Sequence, residues 1–245
     1  MPKGINACYA SLRQLFKPLF DIKQVPRSVV WLATLDAVFC LAYVGTYLLA
    51  PAHFGFARYW DLDFEGGIAT WYSMLKLLSI AILATVFVRR KVAEGQGSPV
   101  LFGLPTIFLA MAIDEIARLH ERIGKFSDIL LPDGSRANTP FQETGLWIFL
   151  VGIPFIVFFL WWIYRFKKKL AGYGAEVRML GMGVFLLLLG ALGVEFLSNF
   201  LFDDFTQLVG ITLEEGLEML GATVIFWAVL AMVRKKHPVA PFRNR

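Results

Sequence analysis

The sequence places ionisable side chains within or beside long apolar stretches, where such groups are costly and indicate function. Seven carboxylic acids lie within or at the ends of the later apolar stretches, at Asp114, Glu115, Glu121, Glu195, Glu214, Glu215 and Glu218, and an eighth, Asp36, lies apart from them in the first stretch. The basic groups that accompany them are Lys76, Arg118, Arg122 and His120. Unpaired carboxylates are strongly disfavoured away from water, so the surplus negative charge must be relieved by water, by protonation or by a bound cation.

The side-chain types favour a hard divalent cation if a metal relieves this charge. Carboxylate oxygens with a single imidazole suit Mn, Fe, Mg or Ca better than Zn. A structural zinc site would need further Cys or His ligands, and no others lie nearby. The predicted metal ligands are Asp114, His120, Glu121, Glu195 and Glu218. We expect His120, Glu121 and Glu218 to act in catalysis as well.

Transmembrane helices are the elements that must position these side chains. Hydrophobic residues make up 57% of the 245 residues, and the mean hydropathy is +0.61. A soluble domain is about 45–50% apolar, and the excess here forms runs near the roughly 20 residues that cross a bilayer. The predicted spans are 28–50, 67–88, 100–121, 145–164, 178–201 and 211–233. The sequence therefore predicts an all-α bundle of six spans over residues 28–233.

Loop charge predicts the orientation of this bundle. Lys and Arg gather in the N-terminal tail, after the second and fourth spans, and in the C-terminal tail, whereas the other loops are richer in Asp and Glu. The positive-inside rule then places both termini in the cytoplasm. We expect an amphipathic cytoplasmic segment over 1–27 and a basic tail over 234–245. Because the basic residues flank apolar runs, the net charge of +5 indicates a multi-pass protein of the cell inner (plasma) membrane rather than a nucleic-acid partner.

This topology brings the ionisable groups of the second, third, fifth and sixth spans to one level near the extracytoplasmic surface. At 1.5 Å per residue they would lie within about 13 Å of the outer helix ends. Asp36 alone would lie toward the cytoplasm. Asp114 and Glu121 are seven residues apart, or about 20° apart around a continuous helix, and Glu214 and Glu218 share a face. Agreement among four spans predicts a single site.

Some of these residues also allow a purely structural interpretation. Thr212 followed by Glu215 fits a capping box, so we favour Glu215 as a helix cap. Arg118 and Glu115 are close enough around a helix to form only an ion-paired helix end. Lys76 is expected to be the counter-ion that keeps the acids ionised.

The fifth span allows the same two interpretations. Glu195 and Asn199 are four residues apart and share a helical face. The span is rich in glycine, which permits close approach of a neighbouring helix. The pair is therefore either part of the site or a polar clasp between helices.

Several short motifs coincide with these residues. They are Asp61-Leu62-Asp63 with Glu65, Trp71-Tyr72-Ser73, Asp114-Glu115 with His120-Glu121, Gly193-Val194-Glu195 and the run from Glu214 to Gly221. With these motifs the sequence resembles an uncharacterised family of bacterial multi-spanning inner-membrane proteins, and the likeness covers most of the six spans. The resemblance brings no activity, but it implies that Glu65 and Ser73 belong with the site.

Three functions follow from this pattern. We favour a metal-dependent, membrane-embedded enzyme that acts on a lipid or another amphiphile, because the site lies near the membrane surface. A transporter or channel for protons or divalent cations is the first alternative, and Pro105 and Pro154 are placed to interrupt two spans. A non-catalytic subunit or sensor is the second, and it would require every acid to be paired. Substrate and oligomeric state are open.

Overall fold

The computed structural model describes residues 25–49, 57–64, 66–131, 134–136, 139–141, 144, 146–170, 172–201 and 203–235. Within them lie seven helices and no strand: α1 Arg27–Leu49, α2 Ile68–Ala93, α3 Pro99–Ala117, α4 Leu119–Ser127, α5 Ile148–Lys167, α6 Gly174–Ser198 and α7 Asp204–Arg234. All except α4 are long and apolar enough to cross a membrane. The predicted all-α bundle with six spans is therefore confirmed.

Some predictions lie outside the described residues. The amphipathic segment is described only at residues 25–27, and the C-terminal tail only at 234–235. Glu65 is also outside. The orientation of the bundle stays a prediction, so we name its ends by their charge. The basic end holds Arg90 and Lys235, which bond to Val233 O at 3.1 Å and to the Glu176 carboxylate at 2.8 Å. The opposite end is called the acidic end.

Helix α7 is the central helix and packs against α1, α2 and α6. Its contact with α6 depends on glycine, as the sequence predicted. A methyl group at Gly183 would lie 2.8 Å from the Gly221 carbonyl oxygen, and one at Gly221 would lie 2.5 Å from the Leu187 nitrogen. These distances are too short for any side chain, so the two backbones touch directly.

A buried ion pair joins α1, α2 and α7. The Lys76 ammonium lies 2.5 Å from Asp36 Oδ1 and donates to Met219 O at 2.9 Å. Tyr72 and Thr223 each donate a hydroxyl to Asp36 at 2.6 Å. Asp36 is thus bonded to neighbouring helices, as expected. The prediction that it lies at a different depth from the other ionisable groups was wrong, because it contacts Lys76 directly. Lys76 was expected to be the counter-ion of the acidic cluster, but its ammonium is bonded to Asp36 and not to any of the cluster's carboxylates.

The third span is shorter than predicted. Helix α3 ends at Ala117, and Arg118 adopts a left-handed conformation with φ 53° before α4 begins at Leu119. Such a conformation is uncommon for a residue with a side chain and breaks the helix. The predicted 20° relation between Asp114 and Glu121 required one continuous helix and was therefore wrong.

The sixth span begins earlier than predicted. Asp203 caps α7 by accepting the Thr206 backbone N–H at 2.9 Å, and the helix starts at Asp204. The predicted capping box at Thr212 and Glu215 was therefore wrong, because both lie well inside α7. Glu215 is 11 residues, or about 16 Å, beyond Asp204. The predicted limit of about 13 Å from the helix end thus fails for this helix.

Candidate functional site

A cavity of about 990 Å³ lies between the helices at and below the acidic end, and we call it the chamber. All seven carboxylates that the sequence singled out line it: Asp114, Glu115, Glu121, Glu195, Glu214, Glu215 and Glu218. Ser73 and His120 line it as well. Side chains from α2, α3, α4, α6 and α7 therefore meet around one space, although they are far apart in sequence.

Three candidate residues do not line the chamber. Lys76 is bound to Asp36, and Arg118 forms the break between α3 and α4. Asn199 is buried and donates to Thr144 Oγ1 at 3.0 Å. Among the described residues, Asn199 thus bonds the end of α6 to the loop before α5 and not to a neighbouring helix, whereas Glu195 lines the chamber.

The sequence analysis did not select several polar residues of the chamber wall. Asp63, Lys125, Arg136 and Gln207 all contribute to it. Asp63 stood in one of the motifs, and that was the only signal for it. Arg136 comes from the loop after α4 and pairs with Asp128 at 2.7 Å. No periodicity or motif pointed to a loop arginine.

Asp114 and His120 form a close pair on either side of the break at Arg118. His120 Nδ1 lies 2.8 Å from Asp114 Oδ2, and the His120 backbone N–H donates to Asp114 Oδ1 at 3.1 Å. A carboxylate can only accept, so Nδ1 carries the hydrogen and Nε2 is left for another partner. Both Asp114 oxygens are occupied in this way. Asp114 therefore orients His120 and anchors the start of α4.

The charge state of His120 follows from this pairing. Burial lowers the pKa of His120, but the hydrogen bond and negative charge of Asp114 outweigh it, with help from Glu195 and Glu121, and the pKa is raised overall. Histidine is the side chain whose ordinary pKa lies closest to physiological pH, so it can carry or release a proton there. His120 can therefore give or take a proton at the chamber wall.

Trp147 connects this pair to α6. Its indole N–H donates to Glu195 Oε1 at 2.9 Å, and its ring centroid lies 5.1 Å from that of His120. Trp147 is buried, so it forms a fixed apolar wall between the two polar groups. The positions of His120 and Glu195 are thus both set by neighbours.

Four of the chamber acids have no such neighbours. Among the described residues, no hydrogen bond or ion pair involves the side chains of Glu115, Glu214, Glu215 or Glu218, although Glu121 lies 3.3 Å from Lys125. Glu215 and Glu218 are half-buried, and both border the chamber. Helix α6 packs closely here, since a methyl group at Gly190 would lie 2.6 Å from Glu214 O. These acids present free oxygens to the chamber.

The chamber continues away from the acids as an apolar arm. Its walls are formed by α3, α5 and α6, with Gly103, Ile107, Met111, Phe155, Phe158, Leu187, Leu188 and Leu192. Gly103 and Glu115 are 12 residues apart on α3, which corresponds to about 18 Å along the axis. The arm therefore runs from the acid-lined end deep into the hydrophobic part of the bundle.

Two helices that border the arm contain π-helical turns. They lie at Ile148–Gly152 in α5 and at Leu189–Val194 in α6. Gly152 and Leu192, one from each, line the chamber. Single π-helical turns are rare and are frequent at functional sites, because they displace part of the helix from its regular path.

The predicted metal site has no counterpart in the arrangement of these side chains. Among the described residues, no group of three or more His, Cys, Asp or Glu side chains is placed so that it could hold a metal ion. The carboxylates share a chamber without being gathered around one point. A metal at this place stays a prediction.

The fold and chamber together define a polytopic membrane protein that encloses an acid-lined cavity with an apolar extension. The chain belongs to the protein family described as "Domain of unknown function (DUF8692)", whose profile matches residues 28–233. That range includes every residue of the chamber wall. No curated protein and no solved structure matches the chain. The family assignment agrees with the resemblance to a family that brings no activity.

Proposed function

We propose that this protein is a membrane-embedded enzyme that acts on the polar head of a lipid or another amphiphile. The observation that carries the proposal is the two-part chamber, in which an acid-lined end with an oriented histidine continues into an apolar arm that reaches about 18 Å from Glu115. Ligand pockets are mostly apolar and contain a few placed polar groups. An amphiphile would place its chain in the arm and its head beside His120.

His120 is the residue that we expect to transfer a proton in this reaction. Asp114 holds Nδ1 at 2.8 Å, which leaves Nε2 to act on the substrate. An imidazole oriented by a carboxylate is a common general acid or base, worth about 10²–10⁴-fold in rate. Glu121, Glu195 and Glu218 would bind the head group or stabilise positive charge that develops on it.

A divalent cation is a separate proposal, on which the amphiphile function does not depend. His120 Nε2 with Glu121, Glu195 and Glu218 would supply a mixed nitrogen and oxygen donor set for Mn, Fe, Mg or Ca. Asp114 would then accept the Nδ1 hydrogen of the histidine ligand, as carboxylates often do at metal sites. Elemental analysis of the purified protein tests this, and the metal should be lost in both Glu121→Ala and Glu218→Ala.

Turnover of membrane lipid tests the enzymatic part. The purified protein is placed in vesicles made from the lipids of the expression host, and the lipids are compared by mass spectrometry over time. We expect a product that accumulates with the wild-type protein and with Asp204→Asn, an exposed acid outside the chamber. His120→Gln should reduce the rate by at least about 100-fold. Equal rates in both variants would contradict the proposal.

We further propose that the acidic end faces away from the cytoplasm, at the plasma membrane. The charge of the loops supports this orientation. A cysteine in place of Asp204 should react in intact cells with a maleimide that cannot cross membranes, whereas one in place of Gly95 should not. Labelling of the cysteine at position 95 alone would show that the acidic end faces the cytoplasm.

A transporter of protons or divalent cations is the second candidate. The π-helical turns in α5 and α6 favour it, because transporter sites are often built on interrupted helices. The non-catalytic subunit or sensor would need every acid to be paired. Among the described residues this condition is not met, since the side chains of Glu115, Glu214, Glu215 and Glu218 lack partners. Flux of Mn²⁺ or protons into liposomes, abolished by Glu218→Gln, would favour transport over catalysis.

A further inference from the structure

The chamber is open toward the side of the bundle. Thr106 and Ala110 on α3 and Phe158 on α5 line it, and all three are exposed, Phe158 to 48%. They lie in the middle of two apolar spans, so the surface beside them is covered by lipid when the protein is in a bilayer. A molecule already dissolved in the bilayer would therefore have access to the arm without crossing water.

The charge at the acid-lined end of the chamber restricts which head groups such a molecule can have. Eight carboxylic acids line this part: Asp63, Asp114, Glu115, Glu121, Glu195, Glu214, Glu215 and Glu218. The lysine and arginine of the wall, Lys125 and Arg136, already lie near Glu121 and Asp128. An anionic head would meet like charge in an enclosed space, which disfavours its binding.

The four acids without partners point to the same conclusion. Glu115, Glu214, Glu215 and Glu218 come from two helices that face the chamber, and their oxygens have no donor among the described residues. An amino head group carries three donors and one positive charge. It could bond to several of these oxygens at once and replace the missing donors.

We propose that the substrate of this chamber is a single-chain amphiphile with a positively charged amino head, which reaches the arm sideways between α3 and α5. The proposal rests on the function proposed above and specifies its substrate class. The chain would lie along Ile107, Met111 and Phe155, and the amine would lie among Glu115, Glu215 and Glu218.

Binding of three molecules with the same chain tests this directly. Dodecylamine, dodecanol and dodecanoate differ only in the head, and their dissociation constants are measured on the purified full chain at one detergent concentration. We expect dodecylamine to bind at least about tenfold more tightly than dodecanol, because charge-assisted hydrogen bonds are the stronger ones. Dodecanoate should bind most weakly, and butylamine, which lacks the chain, should not saturate the site.

Two kinds of variant separate the head from the chain. The double variant E215Q/E218Q should remove most of the preference for the amine and leave dodecanol unaffected, and Glu115→Gln on α3 should act in the same direction if the double variant does not fold. Ala110→Phe should weaken all three ligands by obstructing the arm. Leu109→Phe, next to it but outside the chamber wall, is the matched control and should bind as the wild type does.

The failures of the two proposals are distinguishable. If none of the three ligands binds, the amphiphile function itself is wrong. If all three bind equally, or dodecanoate binds best, only the amino head is wrong. The measurements are repeated with Mn²⁺. If dodecanoate then binds more tightly than dodecylamine, the proposal of an amino head is also wrong, because a metal would supply the positive charge. A preference for dodecylamine that E215Q/E218Q removes supports the proposal.

Discussion

The imidazole of His120 and the carboxylate of Asp114 meet at 2.8 Å across a left-handed residue that separates two helices. Asp114 is the fourth residue from the end of α3, and His120 is the second residue of α4. The contact exists because Arg118 turns the chain between them. This pair fixes both the direction of α4 and the position of the histidine.

Asp114→Asn should lower the pKa of His120. The negative charge of Asp114 raises that pKa in the native protein, and an amide removes this contribution. Nitrogen chemical shifts of the labelled histidine, followed through a pH titration, measure the change. An unchanged His120 pKa would show that the pair is not formed.

The same pair makes stability depend on pH with a defined sign. Because the folded pKa of His120 is raised, the contribution is complete below the ordinary histidine value of about 6.5 and is lost as the pH rises through the folded value. The melting temperature should therefore fall across that interval in the wild type. In Asp114→Asn this decline should be smaller.

Lys76→Met should destabilise the bundle strongly, since it leaves the buried Asp36 without its cation. Breaking a buried ion pair typically costs about 3–5 kcal/mol, whereas replacing both partners by apolar groups can be nearly neutral. The double variant Asp36→Leu with Lys76→Met should therefore recover much of the loss. Denaturation in mixed micelles measures all three proteins. A double variant that is less stable than Lys76→Met would contradict this account.

Gly183→Ala and Gly181→Ala should have opposite effects, although both lie in α6. A methyl group at Gly183 would lie 2.7 Å from Ile225 Cγ1, whereas none of the surrounding atoms lies within 4 Å of one at Gly181. The first change forces α6 and α7 apart at a cost of about 1–3 kcal/mol. The second should be neutral or stabilise by about 0.5–1 kcal/mol, because alanine favours a helix. Thermal unfolding of the two variants provides the comparison.

Asp203→Ala should weaken the start of α7, while Asp203→Asn should preserve most of it because asparagine is also a good cap. Hydrogen bonds from the Thr206 hydroxyl and backbone N–H lower the pKa of Asp203. Its contribution is therefore present above the ordinary aspartate value of about 3.9 and is lost as the pH falls through the folded value. Hydrogen exchange at Thr206 and its neighbours measures this as a function of pH.

The six spans were predictable because their apolar runs match the thickness of a bilayer. The joint position of seven carboxylates around one cavity was also predictable from the sequence, since each falls in the half of its predicted span that lies nearer the acidic end. The ends of the helices were harder to predict. Nothing in the residues near Arg118 distinguishes a left-handed break from a helix that continues.

The partners of the charged groups were the least predictable part. Asp36 and Lys76 are 40 residues apart, and their contact depends on how α1 and α2 pack around α7. A count of charges in separate spans could not show that one lysine was already neutralised by an acid elsewhere. Similarly, Arg136 reaches the chamber from a loop whose course has no periodic signal.

The pairing of Lys76 with Asp36 separates the support of the bundle from the chemistry of the cavity. This ion pair uses none of the chamber acids, so the four that have no side-chain partner among the described residues, Glu115, Glu214, Glu215 and Glu218, can be substituted one at a time without loss of the scaffold. A related chain could bind a different ligand through changes in the lining residues alone. The chamber is thus a part of the molecule in which new specificities can arise, or be designed, on an unchanged frame.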